Sequence, residues 1–147
     1  MIKLIGFKVV HIQEDHFLSC CAPPYSDNRS TDTSSRFSES TSCTTCHTIL
    51  SSKNSQIYKI GIPSKRREPH GPLAVFTDRS WAFKFIRKTL ANLHFELKTF
   101  KCEYIKSADN AIWIGRKDYP DRFVGKDYCP DGTDFADEVT LLEEVYE

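Results

Sequence analysis

The sequence contains no apolar run approaching the roughly 18 residues that a membrane span requires, so no membrane partner is expected. Its opening, Met1 to Val10, is broken by Lys3 and Lys8 and has no small-residue cleavage site, which excludes a reading as a secretory signal and points to the cytoplasm. There is no Walker loop, no Gly-x-Ser-x-Gly and no dinucleotide fingerprint, so the motif-level grounds for a nucleotide hydrolase, an α/β-hydrolase or a Rossmann enzyme are missing. No internal repeat is visible. Net charge is lacking too, with 20 basic against 20 acidic side chains. The balance is uneven along the chain: residues 1–110 carry 16 basic and 10 acidic groups, and residues 111–147 carry 4 and 10. Such asymmetry orients a partner, or is neutralised within one folded surface.

Large apolar side chains are almost absent between Ser26 and Ser55, where sixteen of thirty residues are Ser or Thr. Such a stretch cannot offset its ordering entropy by burial, so residues 19–55 are expected to form a flexible Ser/Thr/Cys-rich insertion in a single domain spanning 1–147. About 110 residues then remain for a core, enough for one sheet and one or two helices.

What is present outside the insertion is periodic. Leu4 to Ile12 alternates as a strand, with Phe7 and Val9 on one face and Val10 and Ile12 on the other. Gln56 to Ile62, closed by Pro63, reads as a second strand, and Leu73 to Phe76 as a third. Then the period lengthens. Asp78 is placed to cap a helix over 79–93, with Trp81, Ala82, Phe85, Ile86, Leu90 and Leu93 on its apolar stripe. Period two resumes from Phe95 to Ile105 and at Ala111 to Ile114. Residues 115–134, rich in Asp, Gly, Pro and Tyr, read as an ordered loop pinned by aromatics, with several successive turns at 127–132 as the alternative, and Val139 to Val145 as a closing strand, the alternative being a short terminal helix. The expected fold is α+β: a mostly antiparallel sheet with the 79–93 helix packed on one face.

Six cysteines in a reducing compartment are thiols, metal ligands or redox centres before they are disulfides. Cys43-Thr44-Thr45-Cys46-His47 matches the short c-type haem attachment pattern, but its Ser/Thr surroundings offer no packed pocket. A thioredoxin-type role fails for the same reason of context. Zinc suits the residues better: Cys43 and Cys46 have knuckle spacing, and Cys20 or Cys21, His16 and His47 are available to complete a tetrahedral set. The metal-ligating candidates are thus Cys20, Cys43, Cys46 and His47. A second Cys-x-x-Cys is lacking, and the competing reading is unligated thiols in a mobile loop.

Residues 53–106 hold twelve basic against four acidic side chains, including the run Lys65-Arg66-Arg67. These three are the candidate nucleic-acid contacts, with ordinary solvated surface as the alternative. For acid–base or nucleophilic chemistry only isolated candidates stand out: His11, His70, Ser80, Glu103 and Glu138.

The segments Gly71 to Asp78, Phe100 to Tyr104 and Ala136 to Leu142 together resemble small uncharacterised proteins encoded by phages and other mobile elements, over residues 56–145. That resemblance implies an architecture and no particular activity. More distantly, Val75-Phe76-Thr77-Asp78-Arg79-Ser80 after a His-bearing first strand is similar to ADP-ribosyltransferase-like folds, which would make His11 and Ser80 the positions to watch and NAD the ligand. The chain departs from that family in having no catalytic Glu in a recognisable setting and no nicotinamide-pocket motif. The expectation is therefore a small accessory or interaction protein with an unidentified protein partner, the alternatives being an ADP-ribosyltransferase-like domain and a nucleic-acid binder.

Overall fold

The computed structural model of the chain describes residues 2–13, 16–19, 57–89 and 96–147. The insertion expected at 19–55 falls outside them except for Ser19, which ends a strand. The elements in chain order are β1 (Leu4–Gln13), β2 (His16–Ser19), β3 (Ile57–Tyr58), β4 (Ser64–Lys65), β5 (Leu73–Phe76), α1 (Arg79–Thr89), β6 (Glu96–Lys106), β7 (Ala111–Arg116), β8 (Tyr119–Gly125), a 3-10 turn (Lys126–Tyr128) and β9 (Thr133–Val145). Among the described residues the architecture is α+β, mostly antiparallel sheet with one helix, as expected. Among the described residues no helix is long and apolar enough to cross a membrane.

Among the described residues every strand pairing is antiparallel, and four strands close on one another. β1 pairs with β6 from Leu4↔Tyr104 to Ile12↔Glu96. β6 pairs with β9, with register shifts at Lys101/Cys102 and Ile105/Lys106 that bend the long strands. The opposite edge of β9 takes β5, from Leu73↔Ala136 to Phe76↔Thr133, and β5 returns to β1 through Phe7↔Phe76. The ring β1-β6-β9-β5 therefore leaves little free edge in its centre. β2 and β3 extend the far end of β1, and β4 covers Val139 and Glu138 of β9.

Strand alternation on this ring feeds two cores. Val10, Val75, Phe100, Cys102, Tyr104, Val139 and Leu141 pack with Tyr58 on one side. Val9, Phe76, Ala82 and Phe85 pack on the other, with Phe7, Trp81, Ile86 and Leu97 against them. Adjacent pairs such as Val9-Val10 and Val75-Phe76 supply opposite faces, which is why these strands are apolar at consecutive positions. Lys8 lies on the same side of β1 as Val10 and is 1% exposed. Its ammonium donates to the Ala74 carbonyl at 2.6 Å and lies 5.3 Å from the Tyr58 ring centroid, contacts that offset its desolvation.

Three local readings are corrected. The strand expected at 56–62 is only Ile57–Tyr58, after which Lys59 to Ile62 turn: Ile62 N–H donates to the Lys59 carbonyl, and Gly61 sits at φ 81°, a conformation suited to glycine. The expected loop at 115–134 contains β8, which pairs with β7 as a separate two-stranded ribbon. Pro120 and the charged residues around it mask the strand pattern, and a ribbon with two edges tolerates that proline. β2 was not expected at all. Of the helix expected over 79–93, residues 79–89 are helical and 90–93 lie outside the described residues.

Candidate interaction surface on the β7–β8 hairpin

The hairpin is held to the body by Trp113, which is buried. Its indole N–H donates to the Pro69 carbonyl at 2.8 Å, and its own carbonyl accepts from Gly71 N–H at 2.9 Å. The approach is close enough that a Cβ on Gly71 would stand 2.7 Å from the Trp113 backbone nitrogen, so this position has no room for a side chain. Two residues further along, Gly115 N–H donates to His70 Nδ1 at 2.8 Å, which places the His70 proton on Nε2. The loop 66–71 thus grips the ribbon through both backbone and side chains.

Arg66 completes the joint. Its guanidinium donates to Asp109 at 2.6 Å, to Asp137 at 3.0 Å and to the His70 carbonyl at 3.2 Å, and lies 5.4 Å from the Trp113 ring centroid. It ties β9 to the turn that leads into β7. Burial works against the Arg66 charge, but the hydrogen bonds it donates to Asp109 and Asp137 outweigh it and the pKa is raised. On the partner side, the hydrogen bond from Arg66 lowers the Asp109 pKa, burial opposes this, and Lys117 at 3.3 Å adds to the lowering. A second polar joint lies nearby: buried Asp134 accepts from Tyr104 at 2.7 Å and from Lys106 at 2.5 Å. Burial pushes the Asp134 carboxyl upward, yet the bonds from Lys106 and Tyr104 prevail and leave it lowered.

From this fixed base three large aromatics face solvent: Tyr119 at 85% exposed, Tyr128 at 73% and Phe123 at 54%. Phe123 is stacked on Trp113 with centroids 6.2 Å apart, so its outward face is backed by a buried ring. Within 111–132 the basic residues Arg116, Lys117, Arg122 and Lys126 equal the acidic residues Asp118, Asp121, Asp127 and Asp131 in number. The segment 111–132 therefore carries no formal net charge in sequence.

The sequence-based site residues fall elsewhere. Of the three candidate nucleic-acid contacts, Lys65 and Arg67 are exposed, whereas Arg66 is engaged with the two carboxylates. Cys20, Cys43, Cys46 and His47 lie outside the described residues; among the described residues no three His, Cys, Asp or Glu side chains gather as a metal site. Ser80 gives its hydroxyl hydrogen to Asp78 at 2.9 Å at the start of α1. His11 is opposite Leu97 on β6, while Glu103 is opposite Ile5, six residues and about 20 Å further along the strand. Glu138 pairs with Lys65 and Ile105. These residues do not converge. The aromatics of the hairpin and of the turn after it were missed as a site, although the recurrence of Trp113, Tyr119, Phe123 and Tyr128 was the available signal.

Compared with known proteins, the chain matches no family model, no curated protein and no solved structure.

Proposed function

We propose that the protein is a non-catalytic interaction domain that engages a protein partner through Tyr119, Phe123 and Tyr128. The observation that carries this reading is the exposure of Tyr119 and Phe123 on the β7–β8 hairpin, whose base is fixed by Trp113 and Arg66, and of Tyr128 in the 3-10 turn that follows it. Aromatic side chains bury much area for little conformational entropy, and exposed clusters of them mark association surfaces. The cancelling charges of the hairpin favour a protein surface over a polyanion. The proposed setting is the cytoplasm, where the thiols of Cys102 and Cys129 remain reduced.

The test places a photo-crosslinking amino acid at Tyr119 and, as a control, at the exposed Tyr146, in cells that express the protein naturally. A specific adduct is expected from position 119 alone, and it should vanish when Phe123 and Tyr128 are changed to Ser. Equal adducts from both positions, or an adduct indifferent to the two substitutions, would sink the reading.

A further inference from the structure

The outward side of α1 is built differently from the hairpin. Arg79, Lys84, Arg87 and Lys88 are all exposed, and the eleven residues Arg79–Thr89 include no acidic side chain. Helical spacing puts Arg79, Phe83 and Arg87 on one stripe and Lys84 and Lys88 on the adjoining one, away from the Ala82 and Phe85 face that packs on the sheet. Arg87 and Lys88 in the last turn suit the helix dipole, but Arg79 at the helix start and the like-charged Lys84–Lys88 pair four residues apart are not explained by helix formation.

Aromatic rings are interleaved with these cations. The Arg79 guanidinium lies 5.8 Å from the Phe83 ring centroid, and the Lys84 ammonium 5.3 Å from that of Trp81. Phe83 is half-buried and does not belong to the core cluster beneath the helix. The arginine stripe already holds oxygen acceptors: Arg79 donates to the Tyr146 carbonyl and Arg87 to the Glu147 carboxylate. Asp78, at the helix start, is occupied by the Ser80 hydroxyl.

We propose that this face of α1 binds the phosphate backbone of a single-stranded nucleic acid. Arg79, Lys84, Arg87 and Lys88 contact phosphates, a base stacks at Phe83, and Glu147 competes for Arg87. Four cations around an aromatic platform match what a flexible strand offers, since phosphates and base faces are both accessible. A lipid surface offers the phosphates without the rings. The inference stands apart from the hairpin reading, with which it shares no residue.

The test is fluorescence anisotropy of a labelled oligothymidylate of about 15 nucleotides with the full-length protein, between about 50 and 200 mM salt. The logarithm of affinity should fall against log salt with a slope of about −2.8, four contacts at about −0.7 each. Lys84→Gln/Lys88→Gln should bring the slope to about −1.4, Glu147→Gln should tighten binding, and Lys65→Gln/Arg67→Gln, off the helix, should change neither. Unchanged thermal midpoints establish that these surface variants remain folded. The proposal is overturned by absence of saturable binding at the lowest salt, by a slope indifferent to the helix substitutions, by loss of binding in the Lys65/Arg67 variant instead, or by binding to phosphatidylserine vesicles without binding to the oligonucleotide.

Discussion

Arg66 shows how much one side chain does here. It spans Asp109 and Asp137, reaches the His70 carbonyl and covers Trp113, contacts that need a planar, multi-donor head. Arg66→Lys keeps the charge but loses the fork, and should lower stability by about 1–3 kcal/mol in urea titrations, with a shifted Trp113 indole resonance. Asp109 gives the same joint a pH dependence. Because the Arg66 hydrogen bond holds its folded-state pKa below the unfolded value, its contribution is complete above about pH 4 and is lost as pH falls through the folded value. Urea midpoints measured from pH 7 to pH 3 should therefore decline less steeply in Asp109→Asn than in the parent. The Cys102 thiol, pushed up to about 12 by burial despite nearby Lys8 and the Gly6 backbone, should resist iodoacetamide at pH 8 in the native protein and react in urea, as read by peptide mass mapping.

At the scale of elements, the β7–β8 ribbon pairs only with itself, and an isolated hairpin is marginal in water. Its order rests on the Trp113 anchor. Trp113→Ala should cost about 3–5 kcal/mol at most, and the loss should be local: amide exchange in Ala111–Gly125 accelerates while β1, β6 and β9 stay protected. If β1 and β9 lose protection in step with the ribbon, the hairpin is not a separate unit. β8 itself was hidden in the sequence because a ribbon whose outer positions face solvent needs no apolar alternation, and Asp118, Pro120 and Asp121 look like turn residues. α1, by contrast, was plain from its apolar stripe, since packing on one face demands a 3.6-residue period whatever lies beneath.

For the whole molecule, the decisive feature is the ring β1-β6-β9-β5 and the lysine it encloses. Lys8→Ala would remove a buried stem and strip the Ala74 carbonyl of its donor, and should cost about 3 kcal/mol by urea denaturation. Near-parent stability would mean that the ammonium is not held as described. Long-range closure also separates what was legible from what was not. Alternation along Leu4 to Ile12, Leu73 to Phe76 and Val139 to Val145, together with the helical stripe from Trp81, determined the elements and the α+β class, because burial of one face leaves a period in the sequence whichever partner supplies the cover. Which strands pair, where Arg66 points, and that Tyr119 and Phe123 end exposed on an anchored hairpin, with Tyr128 exposed in the turn after it, were decided only by the tertiary structure. Those facts depend on contacts between residues dozens of positions apart, and a linear pattern carries no record of them.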